Sequence, residues 1–118
     1  MTDAVNEWVR GYRRAWESND PDDIRALFTE HAVYRTSPGE EAPWVGHDGI
    51  VGNWLAERDE PGDSTFEWQV LGVSADVAFV QAVTDYSADD RATFDNLWVV
   101  RLAADGRASE FTEWWMER

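Results

Sequence analysis

The hydrophobic spacing of this chain changes period once, around Pro61-Gly62-Asp63, and that change limits what it can fold into. Before this point apolar residues recur at helical spacing. After it they alternate or run on as in strands. Helices gathered in one half and an antiparallel meander in the other predict an α+β fold, not a sheet of parallel strands. At 118 residues the chain suits one domain covering 1–118, with a real core but little redundancy.

Residues 5–17 read as an amphipathic helix, with Val5, Trp8, Val9, Tyr12 and Trp16 on one face and Glu7, Arg10, Arg13, Arg14 and Glu17 covering much of the rest. Asn19-Asp20-Pro21 breaks it. Asp20 is the expected N-cap of a short second helix, with Pro21 at its first position and Ile24, Leu27 and Phe28 as its apolar face. Residues 32–35 read as a short strand and 37–41 as a loop. A third helix is expected over 47–57, burying Ile50, Val51, Trp54 and Leu55, with Gly49 and Gly52 as marks of close approach to the sheet. Strands follow at 66–73, 77–86, 92–102 and 109–116. Their turns fall at Ala75-Asp76, at 87–90 and at Ala104-Asp105-Gly106-Arg107. Phe79, Val80, Ala82 and Val83, like Leu97, Trp98, Val99 and Val100, are apolar on both parities. A sheet wet on one face alternates more cleanly. The pattern predicts a strongly curved sheet with helices on its concave side and a partner subunit on part of the other.

The chain carries 24 acidic and 10 basic residues, a formal charge of −14. Such a chain repels a phosphate backbone and an anionic bilayer, so neither nucleic acid nor membrane is an expected partner. No apolar run approaches the roughly 20 residues of a membrane-crossing helix. The acidic start Met1-Thr2-Asp3 predicts no secretory leader. Cysteine is absent, which removes disulfides and thiolate chemistry and is compatible with a cytoplasmic location. The acidity fits a high-salt host or an ordinary acidic bacterial protein equally.

Eight tryptophans are more than a small core needs, and each buried indole N–H wants an acceptor. Trp16, Phe28, Tyr34, Trp44, Trp54, Trp98 and Trp114 are therefore candidate walls of a ligand site, with plain packing as the alternative for each. Trp114 and Trp115 are adjacent on one strand, so one meets the interior and the other the outer face.

The order of elements resembles the SnoaL-like branch of the NTF2-like, or cystatin-like, superfamily. The stretch Tyr12-Arg13-Arg14-Ala15-Trp16-Glu17-Ser18-Asn19-Asp20 carries the resemblance, followed by Ile24 to Tyr34. Trp44-Val45-Gly46-His47-Asp48-Gly49-Ile50 looks like the family's entry to its third helix, and Asp105-Gly106-Arg107 like its last hairpin. The resemblance implies a cone: three N-terminal helices packed on a strongly curved, mainly antiparallel sheet around a deep apolar cavity. It also implies homodimers through the sheet. Members include ketosteroid isomerases, polyketide cyclases, epoxide hydrolases and dehydratases, so the fold does not choose a reaction.

By the same resemblance Tyr12 falls where isomerase members carry an oxyanion-hole tyrosine, able to donate to a carbonyl oxygen as charge develops. Its other reading is a core tyrosine. The isomerase base position falls on Thr36, or on Ser37 if the loop shifts, and neither is a base unaided. Asp95 and Asn96 lie near the second oxyanion donor, and only one of them can face the interior. A buried Asp there would be a raised-pKa acid or base. His47, at the expected cavity mouth, and His31 are the only histidines and could move protons near neutrality. They make no metal site without a third ligand, and no cofactor is expected. An epoxide-hydrolase arrangement of Arg101 with Asp95 or Glu113 has little support from strand parity.

The expected function is binding of a small apolar or aromatic molecule in an internal cavity. One alternative is isomerase, cyclase or dehydratase chemistry using Tyr12, Asp95 or Asn96, and His47. Another is a structural dimer whose interior is filled by its own indoles.

Overall fold

Asn19 has a φ of 51°, and its N–H bonds to Ala15 O at 2.8 Å; this left-handed residue closes the first helix, α1 (Thr2–Ser18). Asp20 then caps α2 (Pro21–Arg25), accepting the Asp22 backbone N–H at 2.8 Å. Pro21 sits in the first turn, where a missing N–H leaves nothing unpaired. The computed structural model describes residues 2–57, 65–86 and 93–118. The break at Pro61-Gly62-Asp63 and the turn at 87–90 lie outside these residues.

The second helix is shorter than its apolar spacing suggests. Ala108 N–H bonds to Leu27 O at 2.8 Å, and Phe28 pairs with Ala108 to open β1 (Phe28–Arg35). Strand pairing thus overrides the helical periodicity of Ile24, Leu27 and Phe28. It also places His31 on a strand, exposed to solvent. A two-residue strand, β2 (Trp44–Val45), follows and runs antiparallel to β1 through Val33 and Val45. It leads directly into α3 (Gly46–Ala56). Gly46 makes that corner with a φ of 73°, and a Cβ there would meet Glu30 O at 3.3 Å.

The remaining strands are β3 (Thr65–Ser74), β4 (Val77–Asp85), β5 (Thr93–Leu102) and β6 (Ala108–Glu117). Each pairs antiparallel with the next. Ala75 (φ 54°) and Gly106 (φ 87°) supply the left-handed residues of two hairpins. β6 then lies parallel to β1, giving one six-stranded mixed sheet in the order β2-β1-β6-β5-β4-β3.

This corrects the expectation of a cone built on a strongly curved sheet. The sheet is open, with β2 and β3 as free edges, and it neither closes nor curls strongly. The residues apolar on both parities mislead for a physical reason. They do not report curvature: Phe79 is exposed, and Val83, Leu97 and Val99 lie half-buried on the outer face of the open sheet. Bulges interrupt the ladders at Val70/Gly72 and Arg101/Leu102 and bend the strands only locally.

The helices cover one face of this sheet, with α1 over β3 and α3 over β1. Val5 and Val9 of α1, Ile24, Phe28, Ile50, Val80, Val100 and Phe111 are fully buried there. On β5, Asn96, Trp98, Val100 and Leu102 face the helices and are buried, while Asp95, Leu97, Val99 and Arg101 take the other side.

Candidate functional site

Tyr12 projects from the middle of α1 into a ring of aromatic side chains drawn from every layer of the fold. Its ring lies 5.3 Å from Trp54 of α3, 5.1 Å from Trp98 of β5 and 5.7 Å, stacked, from Phe111 of β6. Its hydroxyl meets that of Tyr34 on β1 at 3.3 Å. Tyr34 is buried and stacks on Trp44 at 4.6 Å. Burial, and then the neighbouring Tyr12 and Glu113, hold its phenol well above the ordinary tyrosine range, so it stays protonated. Trp16 stacks on Phe66 at 4.8 Å, and Phe28 closes the base of the cluster edge-on to Tyr34.

A polar chain crosses the inner sheet face beside these rings. Thr84 Oγ1 donates to Asn96 Oδ1 at 2.8 Å, and Asn96 Nδ2 donates to Glu113 Oε1 at 3.0 Å. Glu113 stands directly across from Trp98 in the β5–β6 ladder. Burial pushes its carboxyl up to about 7, against the smaller opposing pull of the Asn96 amide and the Trp98 indole. Trp98 Nε1 is itself buried without a hydrogen bond of full geometry. Its N–H helps to hold charge on Glu113 only through proximity. The other indoles differ. Trp8 donates to Leu27 O at 2.8 Å, Trp68 to Asn6 Oδ1 at 3.0 Å and Trp115 to Thr36 O at 3.2 Å.

The structure thus brings together Tyr12, Asn96, Trp16, Phe28, Tyr34, Trp44, Trp54 and Trp98. Asp95 lies on the opposite face and accepts both Arg118 Nε and Nη2, at 3.1 and 3.0 Å. The Arg118 guanidinium holds its carboxyl below the usual range. Trp114 is also on the outer face, where it pairs with Leu97, so Trp115 carries the inner parity. His47 Nε2 donates to Phe28 O at 2.7 Å and ties the start of α3 to β1. Thr36 bonds to the Glu40 carboxylate through its N–H and its hydroxyl, at 2.7 and 3.1 Å. Arg101 pairs with Asp76 on the outer face, away from Glu113. Among the described residues no group of three His, Cys, Asp or Glu is placed to hold a metal.

Glu113 enters the sequence reading only as a poorly supported epoxide-hydrolase partner of Arg101, and its place beside the aromatic cluster is not foreseen there. Its signal is present in Phe111-Thr112-Glu113-Trp114-Trp115, where an acid takes the same parity as a core phenylalanine.

The comparisons agree with this geometry. A model of the SnoaL-like domain matches residues 9–111. No curated protein matches the chain. Among solved structures, an NTF-2 like protein of unknown function from Burkholderia xenovorans LB400 superposes with a TM-score of 0.74 at 11% identity, covering 99% of this chain and 86% of its own. A ketosteroid isomerase-like protein from Erwinia carotovora atroseptica gives 0.66 at 21% identity, covering 98% and 96%. An LEH-like epoxide hydrolase from M. tuberculosis gives 0.64 at 18%, covering 98% and 84%. At these identities the likeness is one of fold. With most of its length matched by the family model, the chain belongs to the SnoaL-like family within the NTF2-like fold.

Proposed function

We propose that this domain binds a small, flat, apolar molecule against the inner aromatic cluster, with one polar group of the ligand directed at Glu113 and Trp98. The observation that carries the reading is a half-buried carboxylate standing across the β5–β6 ladder from a buried indole N–H that has no full hydrogen bond. Groups of this kind are costly to leave unpaired, and a ligand group that donates to the carboxylate would offset the larger of the two costs while its apolar body covers the indole. Aromatic side chains supply the apolar walls.

The test is an ¹H–¹⁵N spectrum of the indole region during titration with 2-naphthol. The Trp98 Nε1–H resonance should move, while those of Trp8 and Trp68, already bonded within the protein, should hold still. Shifts confined to the exposed Trp114 and Trp115 would overturn the reading.

Proton transfer is the second reading, now resting on Glu113 in place of Asp95. A carboxyl near 7 can give or take a proton at neutral pH, and the Tyr12–Tyr34 pair presents a phenol in the same cluster. Ketone or epoxide turnover that is lost in Glu113→Gln and kept in Asp95→Asn would support it.

A homodimer through the outer sheet face belongs to the same proposal. Leu97 faces Trp114, and Phe79 faces Val99, across neighbouring strands of that face. Sedimentation should report a dimer that Trp114→Glu converts to monomer. A wild-type monomer at micromolar concentration would refute this part.

A further inference from the structure

We infer that the ligand's polar group is a cation: a protonated amine carried on a flat apolar body, with the half-buried Glu113 on the inner sheet face as its counter-ion. The inference rests on the binding reading above and names the ligand class. Glu113 lies on the inner face of β6, directly opposite Trp98 and two residues beyond Phe111. Its Oε1 accepts from Asn96, and no Arg, Lys or His among the described residues forms an ion pair with it. A half-buried carboxylate with one neutral protein donor has lost part of its water without gaining a charge, and a cation is the partner that offsets that loss most fully.

The surroundings suit a cation as well. Trp98 stands across the ladder from Glu113 and Phe111 precedes it by two residues on the same face, and these two rings pack with Tyr12, 5.1 Å from Trp98, and Tyr34, 4.6 Å from Phe111. Ring faces attract cations through their quadrupole. The protein already uses its neighbouring wall in this way. The Arg13 guanidinium lies 4.6 Å over the Phe66 ring and 4.8 Å over that of Trp68, while donating to Phe66 O. Arg13 is therefore engaged at β3, three strands along the sheet from β6, and forms no ion pair with Glu113. The fields of Glu113 and Glu57 both bear on Tyr34, so the interior at this end is negative. The chain's charge of −14 raises the local concentration of cations and disfavours anions.

An ammonium ligand would donate an N–H to the carboxylate and lay its apolar body among the rings. A carboxylate ligand would meet like charge. A neutral alcohol would satisfy one hydrogen bond without offsetting the charge.

The experiment compares three probes of similar shape, benzylamine, benzyl alcohol and benzoate, by calorimetric titration of the full chain at pH 8. Benzylamine should bind at least tenfold more tightly than benzyl alcohol, and benzoate more weakly than either. In Glu113→Gln the amine-to-alcohol ratio should fall to near one. That variant removes one inner-face carboxylate and leaves the other acidic residues, so a general attraction of cations by the acidic surface would survive it. Equal binding of benzylamine and benzyl alcohol to the wild type would overturn the inference and leave the binding reading intact. An unchanged preference for amine in Glu113→Gln would also overturn it. Failure of all three probes, together with an unmoved Trp98 resonance under 2-naphthol, would remove the binding reading and the inference with it.

Discussion

The hydroxyls of Tyr12 and Tyr34 meet at 3.3 Å, joining the first helix to the first strand at the centre of the aromatic cluster. Tyr34 is buried, so removing its partner leaves a phenol without the bond it makes there. Tyr12→Phe should cost about 1 kcal/mol in urea unfolding, and Tyr34→Phe a similar amount. The double variant should cost less than the sum, because both single changes break the same bond. Strict additivity would show that the contact carries no energy.

Glu113 should make stability depend on pH in the direction opposite to an ordinary ion-paired carboxylate. Burial raises its pKa from the ordinary 4.5 to about 7 in the folded state. The unfolded chain therefore releases this proton first as pH rises. Stability is full below about 4.5, falls between there and about 7, and then levels off. The loss is on the order of 3 kcal/mol for this shift. Glu113→Gln should flatten this part of the profile and unfold at higher denaturant than wild type at pH 8. Denaturant midpoints measured from pH 4 to 8 check both.

Asp95 makes the contrasting case. It is an outer-face carboxylate held by Arg118 near the chain's end. Exposed pairs of this kind contribute little. Asp95→Asn should leave the thermal midpoint and probe binding unchanged. A loss of binding would move the site to the other side of the sheet.

Gly46 should not tolerate a side chain. Its φ of 73° is left-handed, and an added Cβ would lie 3.3 Å from Glu30 O. Gly46→Ala should destabilise by about 1–2 kcal/mol. Gly52, in an exposed helical position with nothing within 4 Å of an added Cβ, is the control. Gly52→Ala should be neutral or stabilising.

Much of this architecture is legible in the chain because local signals and tertiary packing agree. Val5, Trp8, Val9, Tyr12 and Trp16 mark α1 by period alone, and Asp20-Pro21 marks the start of α2 by capping chemistry. Where pairing partners are remote in sequence, local signals fail. Phe28 joins β1 through Ala108, eighty residues away, and so loses the helical role its spacing suggests. The two-residue β2 exists only because Val33 lies beside Val45. Sheet curvature is not legible in the chain, because apolar residues on both parities say that two faces are apolar, not how the strands bend.

The site was legible in its rings and less so in its charges. Tyr12, Tyr34, Trp54 and Trp98 meet, as large apolar side chains on inward-facing positions must. Separating Asp95 from Asn96 requires absolute strand orientation, which parity alone leaves open. Glu113 requires the register that sets it across from Trp98, and no local feature of its segment carries that register.

Glu113 stands half-buried on the inner face with no ion-pair partner among the described residues. The direct measurement is a ¹³C titration of the Glu113 side-chain carboxyl, assigned by comparison with Glu113→Gln. A midpoint near 7 is the predicted result. A midpoint in the ordinary glutamate range would show a solvated or charge-paired carboxylate and contradict the site described.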